Sequence, residues 1–235
     1  SASVPFQVHV ECGRAIEKSN MPSDRGWVQD CNKRKIRIGY VSADLHNHSI
    51  AFFLRPLLSS HNKAKFHVTC YYNGHRQDET NEALRALSDN WRDIANKTTE
   101  QIVSIIRKDE IDVLIDLSGH TRGNLLRVFA QRCAPVQATW LGYPNTTGLS
   151  AIDYRISDEI ADPVGVADQF HTEKIHRLPG GSWTFQGDES TLPSRKNPFE
   201  KNGYITFGSF NSLQKINPKV LYAWALILSK TPNAK

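Results

Sequence analysis

One lysine lies between a predicted strand and a predicted helix near the end of the chain. Residues 205–207 (ITF) are typical of a short buried strand, and Pro218 is typical of the first position of a helix. The loop between them is small and polar and contains Lys215. A helix start presents backbone N–H groups and a positive dipole end to an anion, and Lys215 adds a mobile full charge. We therefore expect this segment to bind an anion such as a diphosphate group.

A second candidate segment, residues 42–49 (SADLHNHS), follows a predicted strand over residues 36–42. It places one carboxylate and two imidazoles in a strand-to-helix turn, where they can transfer protons or bind sugar hydroxyls. Asp44 or Ser49 could instead cap the following helix. His48 is harder to explain as a cap, and we predict that it is a site residue. Three converging metal ligands are not evident, so no metal site is predicted.

Two further polar loops follow predicted strands over residues 111–117 and 136–141. Residues 117–124 (LSGHTRGN) combine two glycines, which permit close backbone approach, with a histidine and an arginine that can reach substrate oxygens. Residues 141–148 (LGYPNTTG) combine a turn-forming proline with hydroxyl groups suited to sugars. Each could also be an ordinary polar loop.

The elements that position these loops alternate along the chain. Helices are predicted through residues 52–58, 79–87 and 102–106, the last beginning at an N-cap at Thr98. Strands are predicted over residues 36–42, 66–72, 90–94, 111–117, 136–141 and 153–157. This alternation predicts a Rossmann-like α/β fold, with a doubly wound parallel sheet whose ligand crevice lies beyond the carboxyl ends of the strands.

The domain boundaries are predicted from changes in composition. Residues 1–34 mix proline, glycine and charges, with only a short helical pattern around residues 14–18, and are predicted to be a connector. Residues 35–188 form the predicted first lobe and residues 189–202 a linker. Residues 203–235 are predicted to be the start of a second Rossmann-like lobe and to form only part of it.

The composition argues against several classes of protein. The net charge of +5 comes from scattered basic residues, without the basic stripe and interleaved aromatics of a nucleic-acid groove. No apolar run reaches the ~18 residues of a membrane span, and no secretory signal is evident. The four cysteines lack Cys-x-x-Cys spacing, and a reducing cytoplasm is expected. Dehydrogenases and nucleoside triphosphatases are disfavoured because their glycine-rich motifs are missing.

Three long motifs carry a resemblance to a known family. They are GYVSADLHNHS at residues 39–49, APVQATWLGYPNTTGLSAIDYRISDEIADP at residues 134–163, and ITFGSFNSLQKINPKVLYAWALILSKTPNAK at residues 205–235. Together they resemble the O-linked N-acetylglucosamine transferase and SPINDLY family, from about residue 35 onward. The resemblance implies a two-lobed glycosyltransferase preceded by tetratricopeptide repeats, with residues 1–34 as a linker or the end of those repeats.

The resemblance also implies roles for individual residues. His48 matches the family's active-site histidine, and Lys215 matches the lysine that contacts the donor diphosphate. Ser212, Gln214 and His120 stand where the N-acetylglucosamine enzymes carry a glutamine, a tyrosine and a tyrosine. The other positions implied to bind substrate or donor, together with His120 and Ser212, are Thr121, Gly142, Tyr143, Pro144, Asn145, Thr146, Thr147 and Asn211.

The implied reaction is transfer of a sugar to serine or threonine of acceptor proteins. The donor is UDP-N-acetylglucosamine or, since GYPNTTGL and TFGSFN resemble the SPINDLY branch, GDP-fucose.

No cofactor or metal is expected. The expected partners are the donor, the acceptor protein, the remainder of the second lobe and the tetratricopeptide repeats, without nucleic acid or membrane. The expected location is cytoplasmic, or nucleocytoplasmic in a eukaryote. Alone, this chain is expected to be inactive and to bind nucleotide sugar weakly or not at all. Two alternatives stay open: a non-catalytic peptide-binding or assembly module, and a related enzyme that modifies asparagine or a small molecule.

Overall fold

The structure, a computed structural model, describes residues 3–19, 34–187 and 196–235. The chain divides into two compact units, residues 1–186 and residues 187–235. Within the described residues, no helix is long and apolar enough to cross a bilayer.

The first unit is built on a sheet of seven strands, all parallel, in the order β3-β2-β1-β4-β5-β6-β7. The strands are β1 (Ile36–Ser42), β2 (Phe66–Tyr72), β3 (Asn90–Asp93), β4 (Val113–Asp116), β5 (Val136–Thr139), β6 (Tyr154–Ser157) and β7 (Lys174–Arg177). The helices are α1 (Ser3–Ser19), α2 (Ser49–Ser60), α3 (Glu79–Leu87), α4 (Thr99–Lys108) and α5 (Leu126–Ala130), with a 3-10 turn at Asp168–Phe170. The predicted Rossmann-like, doubly wound α/β class is confirmed. The strand order reverses between β1 and β4, which is where such folds bind ligands.

Both faces of the sheet are covered, so the central strands are apolar on both sides. In β1, Tyr40 belongs to a buried cluster with residues of α2 and α3, whereas the neighbouring Val41 belongs to a cluster with residues of α4 and α5. This double burial explains why the strands read as continuous apolar runs rather than as alternating patterns.

The strongly patterned elements have the predicted bounds. β1, β2 and α3 begin and end where the sequence places them. The N-cap at Thr98 is present and is completed by Gln101 into a capping box that starts α4. β7 and α5 were not predicted, because each is only four or five residues long.

The amino-terminal segment differs from the predicted connector. α1 is a helix of 17 residues, rather than a short stretch around residues 14–18. It packs on the first unit by close backbone approach: a Cβ atom on Gly13 would lie 2.0 Å from the carbonyl oxygen of Gly148. Glu17 anchors the helix by accepting hydrogen bonds from the backbone N–H and hydroxyl of Ser150. A glycine contact leaves no apolar stripe in the sequence, so the helical pattern is weak.

The second unit contains helices α6 (Pro198–Asn202) and α7 (Pro218–Lys230) and a 3-10 turn at Leu213–Lys215. The strand predicted over residues 205–207 is not formed as a strand. Instead, the carbonyl of Ile205 and the N–H of Phe207 both bond to the backbone of Lys235, which is parallel pairing at a single residue. α6 lies in the predicted linker, of which residues 189–195 fall outside the described part of the chain.

Truncation of Leu54 should show how much the core beneath α2 stabilises the first unit. Leu54 has no exposed surface, whereas Phe52 on the same helix is 50% exposed. Leu54→Ala should lower the free energy of unfolding by about 2–5 kcal/mol, because it removes buried methyl groups and leaves a cavity. Phe52→Ala, the control, should lower it by less than about 1 kcal/mol. Urea unfolding measures both values, and equal losses would contradict the placement of α2.

Candidate functional site

A cavity of about 300 Å³ opens at the carboxyl ends of the strands of the first unit. Its wall contains four of the predicted site residues, His48, Gly142, Tyr143 and Pro144. Other side chains of the wall come from α2, from the residue after β5, from β6 and the turn after it, and from the segment near residue 182. They include Phe53, Trp140, Arg155, Asp162, Ser182 and Trp183.

His48 has two roles, and the sequence predicted only one. It lines the cavity, but it is also the N-cap of α2, since its Nδ1 accepts a hydrogen bond of 3.3 Å from the backbone N–H of Ile50. The expectation that His48 is not a cap was therefore wrong. The contact requires an unprotonated Nδ1, so the neutral ring carries its proton on Nε2. His48 can donate a hydrogen bond to an oxygen in the cavity while it caps the helix.

Gly142 lies where no side chain fits. A Cβ atom at this position would come within 1.9 Å of the carbonyl oxygen of Leu117. Gly142 therefore lets the chain after β5 pass directly against the chain after β4, and both loops meet at the carboxyl edge of the sheet.

The loop after β4 is fixed by a buried carboxylate. Asp116 accepts hydrogen bonds from the backbone N–H groups of Ser118 and Gly119, at 3.1 and 2.8 Å, and from the hydroxyl of Thr139 at 2.8 Å. Burial raises the pKa of Asp116, and these hydrogen bonds oppose the rise. The buried Asp116 side chain thus fixes the loop that follows β4 without itself having to contact a ligand.

Two predicted binding residues in this loop use their polar atoms internally. His120 Nε2 donates to the carbonyl of Thr147 at 2.8 Å, and burial lowers the pKa of His120. The hydroxyl of Thr121 donates to the carbonyl of Ser118. Neither residue belongs to the cavity wall, so both stay predictions that this geometry does not favour.

Thr146 and Thr147 were expected to offer hydroxyls to a sugar, and the structure corrects this expectation. Both residues are fully buried, and both hydroxyls donate to the buried carboxylate of Glu173, the Thr146 contact being 2.7 Å long. The backbone N–H of Thr147 donates to the same carboxylate at 2.8 Å. The hydroxyls hold the loop to the start of β7 and are not available to a ligand. The side chain of the neighbouring Asn145 likewise turns back, accepting from the N–H of Thr146.

α1 reaches the cavity wall through an aromatic cluster that was not predicted. Nδ1 of His9 donates to the carbonyl of Pro5 at 2.6 Å, so its Nε2 accepts from the hydroxyl of Tyr143 at 2.9 Å. The ring centres of His9 and His120 are 4.6 Å apart. Because Tyr143 lines the cavity, the amino-terminal helix helps to hold one of its walls.

Two charged residues, Arg155 in β6 and Asp162 after it, were also missed. Arg155 donates from Nε to Asp162 Oδ2 at 2.9 Å and from Nη1 to the carbonyl of Tyr143 at 2.9 Å. Burial would raise the pKa of Asp162, but hydrogen bonds from Ser157 and Arg155 outweigh it and lower that pKa. The available signal was an arginine in the middle of a predicted strand.

Asp158 ties two parts of the cavity wall together. It accepts hydrogen bonds from the backbone N–H of Ala161 and from the hydroxyl and N–H of Ser182, all between 2.7 and 2.8 Å. These bonds lower the pKa of Asp158 to about 2. Ala161 and Ser182 both line the cavity.

In the second unit, Lys215, Asn211 and Ser212 are all exposed. Among the described residues, no carboxylate lies within ion-pair distance of the Lys215 ammonium group. The helix start, however, offers less to an anion than predicted. Oδ1 of Asn217 accepts from the N–H groups of Lys219 and Val220, so Asn217 already caps α7. Positive charge in this segment therefore comes from the Lys215 side chain and the helix dipole.

A metal centre was not predicted. Within residues 3–19, 34–187 and 196–235, no three histidine, cysteine, aspartate or glutamate side chains converge as metal ligands do.

The fold and the sequence together define a class of glycosyltransferase. Residues 15–192 match the family described as Glycosyl transferase family 41, and the chain belongs to this family. The predicted resemblance is thus confirmed.

Named relatives support the same assignment. The chain is 39% identical to a probable UDP-N-acetylglucosamine–peptide N-acetylglucosaminyltransferase SPINDLY of Solanum lycopersicum, over 98% of this chain and 25% of the relative. The protein of the same name from Arabidopsis thaliana is 41% identical, over 98% of this chain and 26% of the relative. The chain thus spans about a quarter of the length of these curated relatives.

A solved structure has the same fold over the whole chain. The K341M mutant of the O-GlcNAc transferase of Thermobaculum terrenum is 35% identical, with a TM-score of 0.91. The match covers 100% of this chain and 44% of the solved one.

Replacement of Asp158 should change the acid stability of the protein. A carboxylate whose pKa is lowered in the folded state stabilises the fold above its ordinary pKa of 3.8, and this contribution is lost as pH falls towards about 2. Asp158→Asn should therefore melt at a lower temperature than the wild type at pH 7, and the difference should shrink between pH 3.8 and about 2. Melting temperatures across this range measure the effect.

The neighbouring exposed carboxylate of Glu159 provides the control. Glu159→Gln should show no such pH-dependent difference. If the deficit of Asp158→Asn were the same at every pH, the hydrogen bonds of Asp158 would not be the cause.

Proposed function

We propose that the protein to which this chain belongs is a nucleotide-sugar-dependent glycosyltransferase that modifies serine or threonine of acceptor proteins. The observation that carries the proposal is the cavity at the carboxyl edge of the sheet, which has His48 on its wall in a chain of glycosyltransferase family 41. The names of the relatives, which specify peptide N-acetylglucosaminyl transfer, support the acceptor class.

In the proposed reaction, the acceptor hydroxyl oxygen bonds to the anomeric carbon of the sugar. The bond from that carbon to the diphosphate breaks, and its electron pair leaves with the diphosphate oxygen. The hydroxyl proton passes to water, so the nucleoside diphosphate departs with additional negative charge. An ammonium group near the phosphates stabilises charge that develops in the transition state. Lys215, exposed and free of carboxylate partners among the described residues, is suited to this role.

His48 is proposed to orient substrate by donating a hydrogen bond. Its Nδ1 is occupied by the helix cap, so its Nε2–H is the group that faces a ligand oxygen. Accepting a proton at Nε2 would require the ring to move its own proton to Nδ1 and give up the cap. The geometry therefore favours positioning over general-base catalysis.

The proposal also covers the sugar donor and the metal requirement of the reaction. The donor is UDP-N-acetylglucosamine or GDP-fucose, and transfer is independent of metal because Lys215 supplies the positive charge. Radiolabelled sugar transfer by the intact protein from each donor, with and without EDTA, tests both points. Binding of acceptor peptides without transfer would favour a non-catalytic module instead.

We also propose a cytoplasmic location, in keeping with the free thiols of Cys12, Cys70 and Cys133.

Removal of the Lys215 ammonium group should slow turnover. Lys215→Ala in the intact protein should lower kcat by about 100-fold or more, because charge on the leaving diphosphate loses its partner. Lys230, exposed in the last turn of α7, is the matched control because it lies at the other end of the helix. Lys230→Ala should keep kcat within about twofold. Steady-state sugar transfer measures both, and equal turnover by the two variants would remove Lys215 from the reaction.

Two substitutions separate the roles of His48. Asparagine is a good N-cap, so His48→Asn should keep the melting temperature while it lowers kcat/KM by about 10-fold or more through loss of the imidazole donor. His48→Ala should lose the same activity and in addition about 1 kcal/mol of stability. Full activity of His48→Asn would mean that His48 is a cap and nothing more.

A further inference from the structure

A buried ion pair forms part of the cavity wall. Arg155 is 7% exposed and Asp162 is 6% exposed, and their Nε–Oδ2 distance is 2.9 Å. Both residues line the cavity. Stability alone accounts poorly for such a pair, because the cost of removing two charges from water offsets most of their attraction.

The hydrogen bonds of Arg155 leave one of its amino groups uncommitted. Nε binds Asp162, and Nη1 binds the carbonyls of Tyr143 and Asn145, at 2.9 and 3.3 Å. Within the described part of the chain, Nη2 makes no hydrogen bond. The guanidinium plane is therefore fixed by three contacts, while two N–H donors of the same rigid group have no protein acceptor.

The rest of the cavity suits a small hydroxylated ring. Its volume of about 300 Å³ is at the lower end of the range for ligand pockets, which matches a single sugar unit better than a whole nucleotide. Phe53 and Trp183 contact each other edge to face, with ring centres 4.9 Å apart, and supply apolar surface. A fixed donor beside aromatic side chains orients a ligand rich in oxygen atoms.

We propose that Arg155 is a specificity-determining residue that donates from its guanidinium group to an oxygen of the transferred sugar. Asp162 is its positioning residue, because the ion pair fixes the plane of the guanidinium group. This inference rests on the proposed function, and it adds a sugar contact that the predicted site residues do not include.

The test compares binding of the nucleotide sugar with binding of the nucleotide alone. In the intact protein, Arg155→Lys keeps the charge but loses the fork of donors. Calorimetry should show that the Kd for the nucleotide sugar rises about tenfold or more, whereas the Kd for UDP or GDP changes by less than about twofold. A loss confined to the sugar-bearing ligand is a result that general loosening of the fold does not produce.

Arg132 is a matched control. It too bridges a carboxylate and backbone carbonyls, binding Asp153 at 2.8 and 3.0 Å and the carbonyl of Ala151 at 2.9 Å, but it does not line the cavity. Arg132→Lys should leave the ratio of the two Kd values unchanged. Equal behaviour of Arg155→Lys and Arg132→Lys, or an equal loss of both ligands, would overturn the inference.

A second variant decides the case if Arg155→Lys does not fold. Asp162→Asn can still accept from Arg155 Nε but loses the charge that holds the guanidinium, and it should raise the nucleotide-sugar Kd about threefold with little effect on the nucleotide. An unchanged ratio in this variant would then overturn the inference. Binding by the wild type separates the two hypotheses. If the wild type binds no nucleotide sugar, the proposed function is wrong. If the wild type binds it and both variants bind it equally well, only the role of Arg155 is wrong.

Discussion

Buried carboxylates hold the loops at the carboxyl edge of the sheet, and the shape of the cavity depends on them. Asp116 fixes the loop after β4, Glu173 fixes the loop after β5, and Asp158 joins the turn after β6 to Ser182. Each carboxylate accepts hydrogen bonds from loop N–H and hydroxyl groups that would otherwise be unsatisfied. Burying these carboxylates is unfavourable by itself, but each one holds a loop in place. Loss of one carboxylate would leave several buried donors of that loop without partners.

This arrangement divides the polar residues of the site into two groups. The hydroxyls of Thr146 and Thr147 and the Nε2–H of His120 bind protein acceptors and keep the loops in shape. His48 and Arg155 each use part of their hydrogen-bonding capacity for structure and keep one nitrogen for a ligand. A polar side chain in such a loop is therefore informative about binding only after its internal partners have been counted.

The sequence predicted the strands and helices that have a clear local pattern of residues. It missed contacts between side chains that come together only in the folded structure. β1 and β2 are apolar over seven residues, and α3 has clear helical spacing, so their bounds could be read directly. The pairing of Arg155 with Asp162 depends on how the chain turns after β6, and capping by His48 depends on one ring orientation. No spacing rule encodes either contact. The single-residue pairing of Lys235 with the 205–207 segment likewise shows that apolar composition does not make a strand without a partner.

The amino-terminal helix α1 also supports the cavity wall, although the composition of the sequence predicts that it lies outside the first lobe. The predicted lobe begins at residue 35, yet α1 contributes His9 to the hydroxyl of Tyr143 and places Gly13 directly against Gly148. Both contacts fall on the loop that also carries Gly142 and Pro144 of the cavity wall. Because interiors are packed without slack, a shift of α1 along its axis cannot occur without a shift of Tyr143. The amino-terminal helix is thus part of the framework that holds the cavity wall.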